Sequence, residues 1–490
     1  MSSSPVIHAL DIPVSEHPSE KFTFNSASLP VPPHVLVRTR GTTEGIEMNF
    51  LGHSRSTAEP TSFENDDISI TESETGSKKE WAAIVACGLC LFLSGWQDGS
   101  LGPLIPTIQK YYNLSFTVIS VLFVSGCLGF LLAAILNIYL SDRLGFGGLI
   151  FLGGVCQAIS YAVLVPAFPF PVMALAFVTK GFGIGLQDAL ANGFVGALRN
   201  DPSTKMGVIH SLYGAGALVS PVIATQFVYH THWSYHYVIP LSIASINLVF
   251  LFCTFGFHTQ EELLGQIQSA DVVEAEGKEK KYKQVLESWA VQIMAIFCLL
   301  YVGAETTLGG WIVTFVVEER GGRFSAGYIS SGFYGGLMLG RIGLIWLNQK
   351  VGERRVIYAY LLLAIGLEVM VWILSNLIGN AVAFALIGVL MGYVQVLRQK
   401  SPYSNHFYYR PMYPISMNVL GAIVPKWVLT GSMGWVASIG QVGGALFPFL
   451  TGTLIQKYGV HVLQPILVAL LGGMLISWIL IPSSTKRHSD

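Results

Sequence analysis

The segment GFLLAAILNIYLSDRLG at residues 129–145 is similar to GLMLGRIGLIWLNQKVG at residues 336–352, and this repeated pair decides the fold. In each segment a glycine opens an apolar run, which ends in a short charged turn closed by another glycine. The same offset of 207 residues aligns Asp98 with Glu305, Leu101 with Leu308, Gly102 with Gly309, Gly181 with Gly388 and Gly185 with Gly392. Such a match without a gap indicates a duplicated half, which is a signature of transporter folds.

The composition places both copies in a membrane. Of the 490 residues, 52% are hydrophobic and only 12% are charged, against roughly 25% charged residues in soluble globular proteins. A soluble cytosolic fold is therefore excluded, and the net charge of −1 provides no field that would attract nucleic acid. Apolar runs recur at residues 81–105, 116–140, 147–166, 170–195, 206–229, 236–257, 288–316, 325–347, 355–377, 380–424, 427–452 and 460–481. Because each run can cross a membrane as a helix, we predict an all-α polytopic membrane protein with twelve transmembrane helices in two homologous six-helix halves.

The domain organisation is predicted from the same runs. Residues 1–80 are rich in Ser, Thr, Pro and acidic residues and are expected to form a disordered cytoplasmic tail. The first half is expected at 81–257, a cytoplasmic linker at 258–287, the second half at 288–481 and a short cytoplasmic tail at 482–490. Fifteen Lys and Arg residues fall on the side of the N-terminus and four on the other side. The positive-inside rule therefore predicts that both termini are cytoplasmic.

The tenth apolar run is interrupted by YVQVLRQKSPYSNHFYYR at residues 393–410. Its cations Arg398, Lys400 and Arg410 would each cost about 3 kcal/mol at the centre of a membrane helix. Beyond this segment the offset between the repeats rises from 207 to 227 residues. The codons at its edges can supply an in-frame intron, so we interpret residues 393–410 as a translated, unspliced intron. A genuine insertion that forms a re-entrant loop is the alternative.

Two loop motifs, SDRLGFG after the second helix and NQKVGER after the eighth, resemble the signature of the major facilitator superfamily. The family motif runs Gly-x-x-x-Asp-Arg-x-Gly-Arg-Lys. Asp142, Arg143 and Gly145 match its Asp, Arg and second Gly, whereas the first Gly and the final basic pair are replaced here. We assign conformational gating to the residues of the two loops and to a nearby cation: Asp142, Arg143, Gly145, Lys350, Gly352 and Arg341.

Within that superfamily the chain resembles the L-fucose–proton permease branch and its fungal relatives. The resemblance rests on Gly95-Trp96-Gln97-Asp98 in the first helix, Asp188 and Asn192 in the fourth, and His210 before Gly-x-Gly-Ala in the fifth. It implies proton-coupled uptake of a polar, often sugar-like solute, with the carboxylates of the first and fourth helices serving protonation and recognition. The fourth-helix acid is Asp here instead of the branch's Glu, which shortens its reach.

Ionisable residues inside the spans indicate function independently, because a charged group in a membrane helix is costly and faces a cavity or a partner. Burial disfavours the charged form of a carboxylate and a nearby cation favours it, so such an acid can exchange a proton near neutral pH. The predicted proton-coupling residues are Asp98, Asp188 and Glu305, with a structural ion pair as the alternative for Glu305. Lys180 either neutralises an acid or extends to the outer surface. Glu368 is expected to have no function.

Recognition of a sugar-like solute needs ring faces and hydrogen-bonding groups. The predicted substrate-binding residues are Trp96, Gln97, Gln187, Asn192, Tyr213, Trp311 and Gln441, and Tyr334 offers a further aromatic face. Core packing is the alternative for each aromatic side chain. All six cysteines lie inside apolar runs, where thiols behave as small core residues, so neither a disulfide nor a metal site is expected.

The sequence therefore predicts a secondary active transporter of a small polar solute, driven by protons through alternating access. No phosphate loop, nucleophile triad or HExxH motif occurs, so no enzymatic activity and no cofactor are expected. The expected partners are the solute, protons and the bilayer. A monomer is expected, in the plasma membrane rather than a vacuolar or other endomembrane. An efflux facilitator for metabolites or drugs and a non-transporting nutrient sensor of the same fold are the alternatives.

Overall fold

The computed structural model describes residues 64–198, 201–267, 285–322, 326–344, 347, 350–351, 353–392 and 426–481. Within these ranges the regular structure is helical throughout. Several predicted features lie outside the described residues: tail residues 1–63, linker residues 268–284, the proposed intron 393–410, the C-terminal tail 482–490 and Gly352.

The first half contains α1 at Glu64–Tyr112, α2 at Phe116–Leu164, α3 at Phe170–Ala197, α4 at Pro202–His230 and α5 at Val238–Phe255. A 3₁₀ turn at Trp233–Tyr237 precedes α5, and a short helix, α6 at Gln260–Ile267, follows it. The second half contains α7 at Trp289–Arg320, α8 at Ala326–Gly343, α9 at Glu353–Ile373, α10 at Leu377–Gly392, α11 at Lys426–Tyr458 and α12 at Leu463–Leu480, with a 3₁₀ turn at Val460–Val462 before α12.

Membrane-spanning length and composition account for most of these helices. Among the described residues, ten segments are long and apolar enough to cross a membrane, and α2 supplies two of them, Phe116–Asn137 and Tyr139–Leu164. The two remaining predicted spans coincide with α8 and with the shorter apolar helix α10. Every apolar run predicted from the sequence therefore overlaps a helix.

The two halves repeat their internal helix contacts. A Cβ added at Gly129 would collide with the backbone oxygen of Val178, and one at Gly336 would collide with the backbone oxygen of Ala385. A second pair of contacts repeats in the same way, Gly181 on Gly126 and Gly388 on Phe333. In both cases the second contact is the first one displaced by 207 residues. Because small residues let membrane helices approach closely, the duplication in the sequence extends to the packing of α2 on α3 and of α8 on α10.

The loop motif of the first half forms a kink within α2. Gly145 has φ 66° and ψ 175°, a conformation that only glycine adopts at low cost, and the Gly147 amide next to it donates to the His258 carbonyl oxygen at 3.0 Å. Asp142 and Arg143 are exposed, and the Arg143 guanidinium lies 4.7 Å from the centre of the Tyr139 ring. The motif therefore redirects the chain between two spans, and its gating role stays a prediction.

The first helix begins earlier than the first apolar run. α1 starts at Glu64, inside the stretch expected to be a tail, and continues without a break into the first span. Glu80 pairs with Lys205 at the start of α4, and both side chains are about one-tenth exposed. This ion pair joins the beginning of the membrane-spanning part of α1 to the N-terminal end of α4.

Candidate functional site

A cavity of about 310 Å³ lies between the two halves. Helices α1, α2, α3 and α4 line it from the first half and α7, α8 and α11 from the second. The polar residues on its wall are Ser94, Gln97, Asp98, Lys180, Asp188, Asn192, His210, Tyr213, Thr306, Tyr334, Arg341 and Gln441. Its volume is at the lower end of the range of about 300–1,000 Å³ for small-molecule sites. Polar residues from six membrane helices therefore converge on a space suited to one small solute.

Asp98 occupies a central position on this wall. It is exposed to the cavity, and its Oδ2 accepts a hydrogen bond from the Tyr213 hydroxyl at 2.7 Å. Its backbone carbonyl oxygen accepts another from the Tyr334 hydroxyl at 2.8 Å. Tyr213 belongs to the first half and Tyr334 to the second, so Asp98 is held from both sides of the cavity.

Asp188 begins a chain of hydrogen bonds that joins three helices. Ser94 Oγ on α1 donates to Asp188 Oδ2 at 3.0 Å, and Asn192 Nδ2 donates to the backbone carbonyl oxygen of Asp188 at 2.7 Å. His210 Nε2 on α4 lies 3.0 Å from Asn192 Oδ1. The predicted pair Asp188 and Asn192 therefore forms one face of the cavity together with His210.

Two cations complete the site. Lys180 is only 1% exposed, which excludes the extension to the outer surface that the sequence left open, and its Nζ lies 3.4 Å from the centre of the Phe177 ring. The Arg341 side chain, predicted to act in gating, lines the same cavity, and its guanidinium carbon lies 5.2 Å from the centre of the Tyr213 ring. Among the described residues, neither cation forms an ion pair of 4.0 Å or less.

Four of the residues predicted for substrate binding or proton coupling do not line the cavity. Trp96 donates from Nε1 to His236 Nε2 at 3.2 Å and stacks on that ring, while Trp311 is fully buried and donates to the Pro448 carbonyl oxygen at 3.0 Å. The remaining two are Gln187, which is hydrogen-bonded to Gln157 and to the Ile150 carbonyl oxygen, and the half-buried Glu305 on α7. Protein groups already satisfy the polar atoms of Trp96, Trp311 and Gln187, so these three side chains support the wall from behind.

Several wall residues were not predicted from the sequence. Ser94, Phe123, Phe130 and Thr306 line the cavity. The helical spacing of some of them could have indicated their position. Ser94 precedes Asp98 by one turn, and Phe123 and Phe130 are two turns apart, so the members of each pair lie on one helix face. In helices that are apolar on every side, such pairs do not stand out from their neighbours.

The described residues give no indication of a metal centre. No group of three His, Cys, Asp or Glu side chains among them could hold a metal ion. All six cysteines are within the described ranges, and none of them forms a disulfide. The site is therefore built from amide, hydroxyl, carboxylate, cationic and aromatic groups.

Comparisons with known proteins agree with this architecture. The family model described as Major Facilitator Superfamily matches residues 87–403. The chain is 25% identical to Bypass of stop codon protein 6 of Saccharomyces cerevisiae over 427 residues, which cover 83% of this chain and 84% of that protein. It is 20% identical to a glucose/galactose transporter of Brucella abortus over 410 residues, covering 80% of this chain and 93% of that one. A crystal structure of the E. coli fucose:proton symporter FucP superposes with a TM-score of 0.55 at 15% identity, covering 82% of this chain and 98% of that chain.

Proposed function

The chain belongs to the Major Facilitator Superfamily, and from this premise we propose that it carries a small polar, sugar-like solute together with a proton by alternating access. The coarser statements follow from the family and the fold: the protein is an integral membrane protein with twelve transmembrane helices in two homologous halves, and a secondary transporter of a small-molecule solute. The identity of the solute, the coupling to protons and the residues involved belong to the proposal.

One observation carries the proposal: two carboxylates, Asp98 and Asp188, face one cavity between the halves. A carboxylate at this depth of a membrane protein is costly and by default functional. Asp98 also accepts a hydrogen bond from Tyr334 of the other half. Protonation at this position therefore lies beside a contact that must change when the halves move, which is the requirement for coupling a proton to alternating access.

The cavity wall offers suitable groups for a polar ring. Gln97, Asn192 and Gln441 supply amide donors and acceptors, and Phe123 and Tyr213 supply aromatic faces, on which sugar-like rings can pack. A glucose/galactose transporter and a fucose:proton symporter are among the proteins to which this chain is similar. These relatives favour a monosaccharide-like solute and a proton as the coupling ion.

Contacts between the halves are found at one end of the helices. Gln226 near the end of α4 contacts Tyr328 near the start of α8, and the Phe116 amide donates to Gln456 Oε1 at 2.8 Å. With the predicted cytoplasmic N-terminus, this end is the outer one. These contacts close the outer end of the path between the halves.

Flux measurements in proteoliposomes test the proposal. The full chain and a version lacking residues 393–410 are reconstituted, and uptake of glucose, galactose and fucose is followed with and without an imposed proton gradient. Accumulation that depends on the gradient is the expected result. Solute flux that runs only opposite to the imposed proton gradient would favour the efflux facilitator. The absence of flux for every solute would favour the sensor and contradict the proposal.

The orientation, oligomeric state and membrane are tested separately. We propose that both termini are cytoplasmic, that the protein is a monomer and that it resides in the plasma membrane. Protease protection of terminal tags in sealed cells reports the orientation, light scattering in detergent reports the mass, and fluorescence of the tagged full chain reports the membrane. Protected tags, a single-chain mass and fluorescence at the cell surface are expected.

A further inference from the structure

The geometry points to a solute that carries a carboxylate, held in the cavity by Lys180 and Arg341. This inference rests on the proposed function and specifies the substrate class of the same site. It narrows a polar, sugar-like solute to a hydroxylated monocarboxylate.

Lys180 is a buried cation without an acceptor. Its side chain is 1% exposed, lines the cavity, and its Nζ has no hydrogen-bond partner among the described residues. The contacts of the ammonium group with the Phe177 and Tyr237 rings, at 3.4 and 5.9 Å from their centres, are aromatic. A ring face attracts a cation, but an ammonium has three hydrogens that need acceptors. An anionic oxygen in the cavity would supply one.

Arg341, in the other half of the protein, is also a buried cation with an N–H group that lacks an acceptor. It is 8% exposed, lines the cavity, and its Nε has no partner among the described residues. The guanidinium packs against the Tyr213 ring at 5.2 Å. A guanidinium is suited to a planar carboxylate, because its N–H groups can bind both oxygens.

The carboxylates of the cavity, in contrast to its cations, have hydrogen-bond partners in the protein. Asp98 Oδ2 accepts from Tyr213, and Asp188 Oδ2 accepts from Ser94. Asp188 Oδ1 alone among these carboxylate oxygens is buried without a partner, and a proton bound there would neutralise its charge. The protein therefore supplies donors for its carboxylates but no acceptors for its cations, so the missing group is an anion.

The charges balance if one proton enters with one carboxylate. Two acids and two cations line the cavity, Asp98, Asp188, Lys180 and Arg341, and Glu305 lies close enough to interact electrostatically with Asp98. A proton taken up by one acid adds one positive charge to the site, and this charge offsets the negative charge of the solute carboxylate. One proton and one monoanion then cross together, and no net charge moves. A dianion such as a phosphate ester would leave an uncompensated negative charge in a low-dielectric site, which is unfavourable.

Two alternatives compete with this inference: the solute is a neutral sugar, or Lys180 only neutralises Asp98. The experiment compares three solutes that share a ring and differ in one group, namely glucose, glucuronate and glucose 6-phosphate. Uptake and charge movement are recorded in proteoliposomes containing whichever version of the chain, with or without residues 393–410, is monodisperse. Lys180→Gln removes the cation, Lys180→Arg restores a charge, and Lys110→Gln removes an exposed lysine at the end of α1 as the matched control.

We expect glucuronate to be taken up with a half-saturating concentration at least about tenfold lower than that of glucose, without net charge movement. Lys180→Gln should raise that concentration about tenfold or more, Lys180→Arg should recover part of the loss, and Lys110→Gln should have no effect. Should Lys180→Gln not be monodisperse, Arg341→Gln decides in the same assay.

Three results would overturn the inference: better uptake of glucose or glucose 6-phosphate than of glucuronate, glucuronate uptake that does not change in Lys180→Gln, or glucuronate uptake that carries net charge. In the first case a gradient-driven glucose flux would leave the proposed function standing. The absence of flux for all three solutes would reject both the carboxylate and the proton-coupled transporter.

Discussion

The hydroxyl of Tyr334, in the second half, donates a hydrogen bond to the backbone carbonyl oxygen of Asp98, in the first half, at 2.8 Å. The Asp98 side chain also accepts a hydrogen bond from the Tyr213 hydroxyl. Asp98 thus has an ionisable group that faces the cavity and a backbone oxygen that contacts the other half. A change in its protonation can therefore alter a bond that has to break when the halves separate.

We predict that Asp98→Asn abolishes gradient-driven accumulation of the solute while exchange of solute across the membrane is retained. Asn keeps the shape and can still accept from Tyr213, but it cannot bind a proton at neutral pH. Uptake and counterflow in proteoliposomes measure the two activities, and the exposed Glu318→Gln is the matched control. Normal accumulation in Asp98→Asn would remove this residue from the coupling mechanism.

Gly102→Ala should destabilise the protein and slow transport. A Cβ at this position would collide with the backbone oxygen of Gly309, so α1 and α7 must move apart, at a cost of about 1–3 kcal/mol for an overpacked contact. The loss of thermal stability is measured in detergent. Gly366→Ala is the control, because a Cβ at Gly366 meets no atom within 4 Å. Equal melting temperatures of the two variants would contradict the close contact.

Glu80→Gln should lower the free energy of unfolding by about 3 kcal/mol, since removal of one partner leaves a buried charge uncompensated. The pair with Lys205 is about one-tenth exposed on each side, so water compensates little of the loss. The reversed pair, Glu80→Lys with Lys205→Glu, should recover most of the stability, and the exposed neighbour Lys79→Gln should change it little. Failure of the reversed pair to recover any stability would indicate that the two residues act independently.

Deletion of residues 393–410 should improve folding and activity. The segment would place three cations in the tenth span at a total of about 9 kcal/mol if they enter lipid, which is comparable to the stability of a whole domain. Both versions are compared by monodispersity in detergent and by uptake. A full chain that behaves as well as the shortened one would identify the segment as a structural element, and a search for a spliced transcript tests the intron directly.

The fold could be predicted from the sequence because its determinants are local and repeated. Apolar runs define the spans, and the offset that aligns Gly129 with Gly336 already implied that both halves pack their helices alike. The helical start at Glu64 was missed, since no apolar run marks residues 64–80 and the helix there continues into the first span.

The site could be predicted only in part. Asp98 and Asp188 were found because charge inside a membrane helix is costly wherever it points. The direction of a side chain around the helix was the missing information: Trp96 and Trp311 are as aromatic as Tyr213, but their ring nitrogens donate to His236 and to the Pro448 carbonyl. In helices surrounded by other helices and lipid, no polar stripe distinguishes the face that lines a cavity from the face that packs.

Gly102 and Gly309 are counterparts in the duplication, and they also touch each other. Two equivalent points of related halves can meet only beside the pseudo-twofold axis that exchanges the halves, so this axis passes between α1 and α7 at these glycines. In a rotation about a pivot near that point, displacement grows with distance from it. Asp98, one helical turn away, would move less than the outer contact between Phe116 and Gln456, which would open widely. A small rotation of the halves near the solute therefore opens a wide passage at the membrane surface.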